Sequence, residues 1–129
     1  MERGEGRNRS EIPDLDARIK ALDEALGSNA LPDLAFLFNV EAYAWSILQR
    51  LRAELFERRL EMPKSDGDVF AILQRNGVLD QVESRRLRQF CEARLLSSRD
   101  VLKIDVPSIR EMAADRRWIA EILLRLAAQ

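Results

Sequence analysis

The chain has 129 residues, of which 47% are hydrophobic and 33% charged, and its 21 basic and 22 acidic residues give a formal net charge of −1. This composition is typical of one folded globular domain and excludes a disordered chain. Because the acidic residues balance the basic ones, no overall charge attracts the protein to nucleic acid or to a membrane surface.

The histidine and cysteine content limits which catalytic and metal-binding sites the chain can form. The sequence contains no histidine, and Cys91 is its single cysteine. The missing imidazole removes the side chain that serves most often as general base or transition-metal ligand. A lone cysteine supports neither a disulfide framework nor a cysteine metal centre, so we expect no metal and no cofactor. With no secretory signal and no apolar run near the ~20 residues that a membrane span needs, we expect a cytoplasmic protein that contacts no membrane.

The beginning of the chain divides into a tail and a helix. Residues 1–12 are rich in glycine and charge and show no apolar period, which predicts a flexible N-terminal tail. We expect residues 13–129 to form a single helical-bundle domain. Asp14 is a suitable cap for a first helix that ends near Leu26. The apolar stripe of this helix consists of Leu15, Ile19, Leu22 and Leu26.

The longest helical segment covers residues 33–60 and contains neither glycine nor proline. One apolar stripe consists of Leu37, Val40, Ala44, Ile47, Leu51 and Leu55, and a second consists of Leu34, Phe38, Trp45 and Leu48. Two adjacent stripes predict a helix that is contacted on more than one side at the centre of a bundle. For Tyr43 and Trp45 we favour core positions over a stacking platform for a nucleic-acid base. We interpret Glu54 and Glu57 as helix-surface charge.

Three further helices complete the predicted fold. We expect a short third helix over Asp68 to Arg75, a fourth helix from Leu79 or Asp80, and a last helix from Val106 onward. No alternating strand pattern and no internal repeat is present. The sequence therefore predicts an all-α, up-down four-helix bundle with one extra short helix.

Three blocks of sequence, in order, carry a family resemblance. Residues 39–55 resemble a long central helix, residues 63–79 contain a proline, a short helix and a Gly-Val-Leu turn, and residues 87–90 lead to Ile104-Asp105-Val106 and an amphipathic end. Together the blocks resemble the HEPN superfamily, specifically the HepT-like toxins that pair with minimal nucleotidyltransferase antitoxins. The resemblance implies a HEPN-like bundle and a homodimer.

The active members of this family carry an Arg-x-x-x-x-His motif, with a tyrosine two residues after the histidine. The resemblance implies that the motif cleaves RNA without a metal, in a groove between two protomers. Here the corresponding positions hold Arg94, Arg99 and Val101. A guanidinium stays protonated and has no acceptor, so Arg99 cannot act as a general base. Val101 has no hydroxyl for the modification that family antitoxins make on the tyrosine.

The sequence therefore predicts a catalytically degenerate HepT-like domain, disfavours an enzyme, and implies a homodimer that binds RNA or a protein such as a minimal nucleotidyltransferase. The candidates for phosphate or nucleic-acid contact are Arg85, Arg86, Arg88, Arg94 and Arg99. For Arg94 and Arg99 a structural role carries equal weight: a stem packed on the core, or a charge at a helix C-terminus. Two alternatives stay open. The first is an active toxin ribonuclease in which Ser98 or Asp100 accepts the proton, and the second is a helical scaffold that shares only the bundle.

Overall fold

The computed structural model describes the backbone of residues 3–27, 32–99 and 105–128, and the side chains of residues 13–27, 32–92 and 105–128. Within these residues all the regular secondary structure is helical, and the helices form a bundle, as the sequence predicts. The helices are α1 (Arg3–Leu26), α2 (Asp33–Glu57), α3 (Asp66–Arg75), α4 (Gln81–Arg99), α5 (Val106–Ala114) and α6 (Arg117–Ala128).

Helix α1 is longer than the sequence indicates. It begins at Arg3 rather than at Asp14, and Pro13 lies inside it, although a proline removes a backbone donor and usually marks a helix boundary. The apolar stripe used for the prediction begins only at Leu15, so it carries no information about the first turns. The flexibility expected for residues 1–12 stays a prediction.

Helices α3, α4 and α5 each begin at a side-chain cap. Ser65, Asp80 and Asp105 accept a hydrogen bond from the backbone N–H three residues later, at 3.3, 2.8 and 3.2 Å. Glu83 also accepts from the backbone N–H of Asp80 at 3.0 Å, which completes a capping box. Because Ser65 is the cap, α3 begins at Asp66, two residues earlier than predicted.

The last predicted helix is in fact two helices. The chain leaves the helical conformation at Asp115 and Arg116 and resumes it as α6. The Arg116 side chain donates to the carbonyl oxygen of Ala113 at 2.7 Å and to that of Asp23 in α1, also at 2.7 Å. The apolar period does not reveal this break, because Met112 and Ile119 are two helical turns apart in an uninterrupted helix as well.

Helix α2 is the central element of the core. Its first stripe is buried as predicted, and the stripe packs against α1, α3, α4 and α5. Helix α1 runs antiparallel to it, because Asp16 pairs with Arg50 while Asp23, two turns later, bonds Tyr43. Tyr43 also meets Phe90 of α4 edge to face, with ring centroids 5.8 Å apart.

The second stripe of α2 does not lie in the core. Only Leu48 is buried, whereas Leu34, Phe38 and Trp45 are 56, 64 and 43% exposed. The prediction that α2 is covered on this side, and that Trp45 is a core residue, is therefore wrong. The sequence correctly identified an apolar face, but no helix of the described chain covers it.

Candidate binding site on α4

All five candidate arginines belong to α4. Arg85, Arg86 and Arg88 are exposed, in agreement with the sequence, but they reach different neighbours. The Arg86 guanidinium lies 4.2 Å from the ring centroid of Trp118 in α6. Arg88 Nε donates to Glu92 Oε1 on its own helix, at 3.3 Å. Arg86 and Arg88 therefore point to different neighbours, whereas Arg85 is exposed three residues before Arg88 on the same helix face.

The two motif positions, Arg94 and Arg99, lie in the backbone of α4, and their side chains fall outside the described residues. A continuous helix advances about 100° per residue, so positions five apart are separated by about 140° around the axis. Arg94 follows the fully buried Phe90 by one turn, at a register position on the core side. Arg99 shares its register with Arg88. The helix therefore does not present both motif positions on one face.

A groove runs between α4 and the pair α5–α6. It consists of two adjoining cavities of about 580 and 390 Å³, which share Arg86 and Trp118. The apolar part of its lining is Val82, Phe90, Met112 and Ile122. We call this surface the α4–α6 groove. It is a concave, partly apolar surface of the kind that holds a ligand or a peptide.

The charged lining of the α4–α6 groove is acidic on balance. It comprises two guanidiniums and four carboxylates, those of Arg86, Arg125, Glu83, Glu111, Asp115 and Glu121. Arg125 Nη1 and Nη2 donate to the Glu83 carboxylate at 2.5 and 2.9 Å. Arg86 Nη2 lies 3.8 Å from Asp115 Oδ2. Both cations are thus compensated by carboxylates of the groove itself, which leaves Glu111 and Glu121 in excess.

Arg125 controls the ionisation of Glu83. Its hydrogen bonds hold the Glu83 pKa below the ordinary value, helped by the backbone N–H of Asp80.

We expect Arg125→Ala to raise the Glu83 pKa, which ¹³C NMR of the carboxyl group measures. Since the folded-state pKa is the lowered one, the stabilisation is present above the unfolded pKa of about 4.3 and is lost as the pH falls further. The variant should therefore be less stable than the native chain at neutral pH. The difference should become smaller near pH 3, where the variant still lacks the hydrogen bond from Arg125 to the Val78 carbonyl oxygen. The matched control is Arg75→Ala, which removes the exposed Arg75–Glu61 pair; an unchanged Glu83 titration in Arg125→Ala would contradict the assignment.

Tyr43 does not supply the hydroxyl that the motif lacks. Burial raises its pKa above the ordinary value, and the negative charge of Asp23 raises it further. Its hydrogen-bond partner Asp23 also accepts from Arg116 Nε at 2.5 Å. A phenol that is buried and held protonated in this way joins α1 and α2 and does not react with a substrate in solvent.

A buried ionic cluster on α2 corrects a sequence interpretation. Glu54 is not a surface charge but is 7% exposed, and Arg50 is 3% exposed. Arg50 Nη1 donates to Glu54 Oε2 at 2.7 Å and its Nε to Asp16 Oδ1 at 3.1 Å, while Arg58 Nε donates to Glu54 Oε1 at 2.6 Å. The spacing contained the signal, because Arg50 and Glu54 each lie three residues after a member of the buried stripe, Ile47 and Leu51. Among the described side chains no cluster of three or more acidic or thiol groups is placed to hold a metal ion.

Comparisons with known proteins establish the fold alone. No protein-family model and no curated protein matches the chain. A solved structure that does match is the cytosolic protein of unknown function YutE from Bacillus subtilis, with 17% sequence identity and a TM-score of 0.80 over 93% of this chain and 88% of that one. No helix in the described ranges has the length and apolarity needed to cross a bilayer.

Proposed function

We propose that this chain is a non-catalytic, HEPN-type helical domain that acts by binding a partner protein in the α4–α6 groove. The whole sequence lacks histidine, so the imidazole that the motif uses as a base is missing at position 99 and everywhere else. The missing base favours binding over cleavage.

The acidic lining of the α4–α6 groove is the observation that favours a protein partner over RNA. RNA is a polyanion and binds where cations outnumber acids. Here the carboxylates exceed the guanidiniums, and both guanidiniums already have carboxylates near them. A peptide segment with apolar side chains and basic flanks complements an apolar floor with an acidic rim. The groove therefore suits a basic amphipathic helix of another protein.

The family resemblance suggests the class of this partner protein. The structural neighbour suggests the cellular compartment. HepT-like proteins pair with minimal nucleotidyltransferases, so a basic segment of such a protein is our first candidate for the groove. YutE is described as cytosolic, and a cytoplasmic location is our proposal for this chain as well.

Fluorescence anisotropy tests the proposed function with a defined probe. The probe is a synthetic amphipathic helical peptide with leucines on one face and arginines beside them. We expect it to bind the full chain, and Glu111→Lys with Glu121→Lys to weaken binding by about tenfold or more, because like charges then meet across the rim. The charge-matched control is Glu24→Lys with Glu57→Lys, two exposed acids outside the groove lining.

Three outcomes of this assay distinguish a protein-binding domain from an RNA-binding one. A peptide that does not bind, or that binds equally to both double variants, overturns the proposal. Labelled single-stranded RNA is the third arm of the same assay. If RNA binds and Arg85→Ala with Arg88→Ala abolishes that binding, the chain is an RNA-binding protein and the protein partner is rejected.

A further inference from the structure

The Trp118 ring lies where the two cavities of the α4–α6 groove meet. Trp118 lines both cavities, and so does Arg86. The Arg86 side chain reaches from α4 to α6 and places its guanidinium carbon over the Trp118 ring, 4.2 Å from the centroid. A guanidinium at this distance over an indole face makes a favourable cation–π contact. An arginine of the chain itself thus shows that this ring accepts a guanidinium.

We infer, on the basis of the proposed function, that the Trp118 ring is the binding site for an arginine side chain of the partner helix, and that Arg86 occupies this site in the free chain. The partner's guanidinium displaces Arg86 from the ring and stacks in its place. The groove then selects for arginine as well as for positive charge, because a planar guanidinium stacks on an aromatic face and a compact ammonium does not.

The contacts of Arg86 are weak enough to be exchanged. Its side chain is 43% exposed, and the carboxylate of Asp115, 3.8 Å away, is 84% exposed. This distance exceeds that of a hydrogen bond, and an exposed ion pair contributes little. Arg125, in contrast, is fixed by the Glu83 carboxylate and by the Val78 carbonyl oxygen at 3.1 Å. An exposed cation–π contact changes an equilibrium constant by only about two- to fivefold, so a bound partner can displace Arg86.

A partner arginine at Trp118 has two acidic residues close at hand. Glu111 lines one cavity and Glu121 the other, and Trp118 lines both. The ion pair of Arg86 is with Asp115, so the carboxylates of Glu111 and Glu121 are left for the incoming cation. A guanidinium that stacks through its face still presents five N–H groups at its edge, and carboxylates accept these in charge-assisted hydrogen bonds. The exchange therefore replaces a weakly paired cation by one with further carboxylate partners.

NMR spectroscopy of the Arg86 side chain tests the exchange directly. Protons held over an indole face resonate upfield, so in the free chain we expect the Arg86 Cδ protons upfield of those of an exposed arginine such as Arg18. Arg86→Gln identifies the signals by their loss. The probe is the arginine-bearing amphipathic peptide of the anisotropy assay, and at saturation it should move the Arg86 signals to the position of an unstacked arginine. Signals that stay upfield in the saturated complex overturn the inference.

A double-mutant cycle separates stacking on the ring from simple charge repulsion. Arg86→Gln should raise the affinity for the peptide by about two- to fivefold more in the native chain than in a Trp118→Leu chain, because only the native chain has a ring to release. The control Arg18→Gln makes the same charge change at an exposed position of α1 and should leave the affinity within about twofold. Equal gains with and without Trp118 overturn the inference. Since Trp118 packs against the core, circular dichroism checks that the variant folds, and the NMR experiment decides without changing Trp118.

The peptide side of the contact is located by replacing its arginines one at a time with citrulline, a neutral analogue of nearly the same shape. One replacement should lower the affinity for the native chain by about threefold or more and have less effect on Trp118→Leu. If no single arginine depends on Trp118, the inference is overturned. A peptide that does not bind the native chain at all overturns the proposed function as well, whereas one that binds without moving Arg86 overturns this inference alone.

Discussion

Replacing Glu54 with alanine should lower the free energy of unfolding by about 3–5 kcal/mol, because it leaves a buried guanidinium without its closest carboxylate. Arg50 is 3% exposed, and its Nη1 donates a hydrogen bond to Glu54 Oε2 at 2.7 Å. Its second partner, Asp16, is nearly half exposed and lies farther away, at 3.1 Å. A half-paired charge inside a packed interface between α1 and α2 has no access to solvent that would compensate it.

Urea denaturation measures this effect against a matched control. Glu57→Ala removes an exposed acid from the same helix and should change stability by less than about 0.5 kcal/mol. Arg50→Met combined with Glu54→Leu should recover much of the loss, since removing both charges avoids the uncompensated burial. Equal effects of Glu54→Ala and Glu57→Ala would show that the cluster is not buried as described.

The second large effect is expected at Tyr43. Tyr43→Ala should destabilise the fold by about 3–5 kcal/mol, because it removes a fully enclosed aromatic ring and leaves a cavity between α1, α2 and α4. The ring is 1% exposed and meets Phe90 edge to face. Urea denaturation again provides the measurement.

Tyr43→Phe distinguishes the ring from the hydroxyl. It keeps the contact with Phe90 and removes only the hydrogen bond to Asp23, whose carboxylate still accepts from Arg116. The expected loss is therefore about 1 kcal/mol. If the two variants were equally destabilised, the hydroxyl network rather than the ring would hold the helices together.

The amino-acid pattern predicted the positions of the helices well. It predicted less well which elements cover each helix face. Apolar periodicity found α2 and its buried stripe because that stripe reports which residues share a face. It could not report what covers a face, so Leu34, Phe38 and Trp45 were assigned to a core that does not reach them. The break between α5 and α6 was missed for a related reason: the apolar spacing continues across it, and Arg116 holds it through contacts with α1 that are distant in sequence.

Of the candidate binding residues, the sequence could predict exposure but not the neighbours. The sequence placed Arg85, Arg86 and Arg88 on an exposed helix face, which the structure confirms, but their partners Glu92, Asp115 and Trp118 depend on how α4 meets α5 and α6. The acidic balance of the α4–α6 groove follows from the same packing and could not be counted from the sequence. The absence of histidine, in contrast, is visible in the composition and needs no structure.

We propose that this domain binds without cleaving, and an RNA-cleavage assay tests this claim most directly. Purified native chain and Arg94→Ala, prepared identically, are incubated with labelled single-stranded RNA without added metal, and the products are separated on a gel. A general base contributes about 10²–10⁴-fold to such a reaction, so without one we expect both proteins to leave the RNA intact. Cleavage by the native chain that Arg94→Ala abolishes would contradict the claim and identify a ribonuclease with a displaced base.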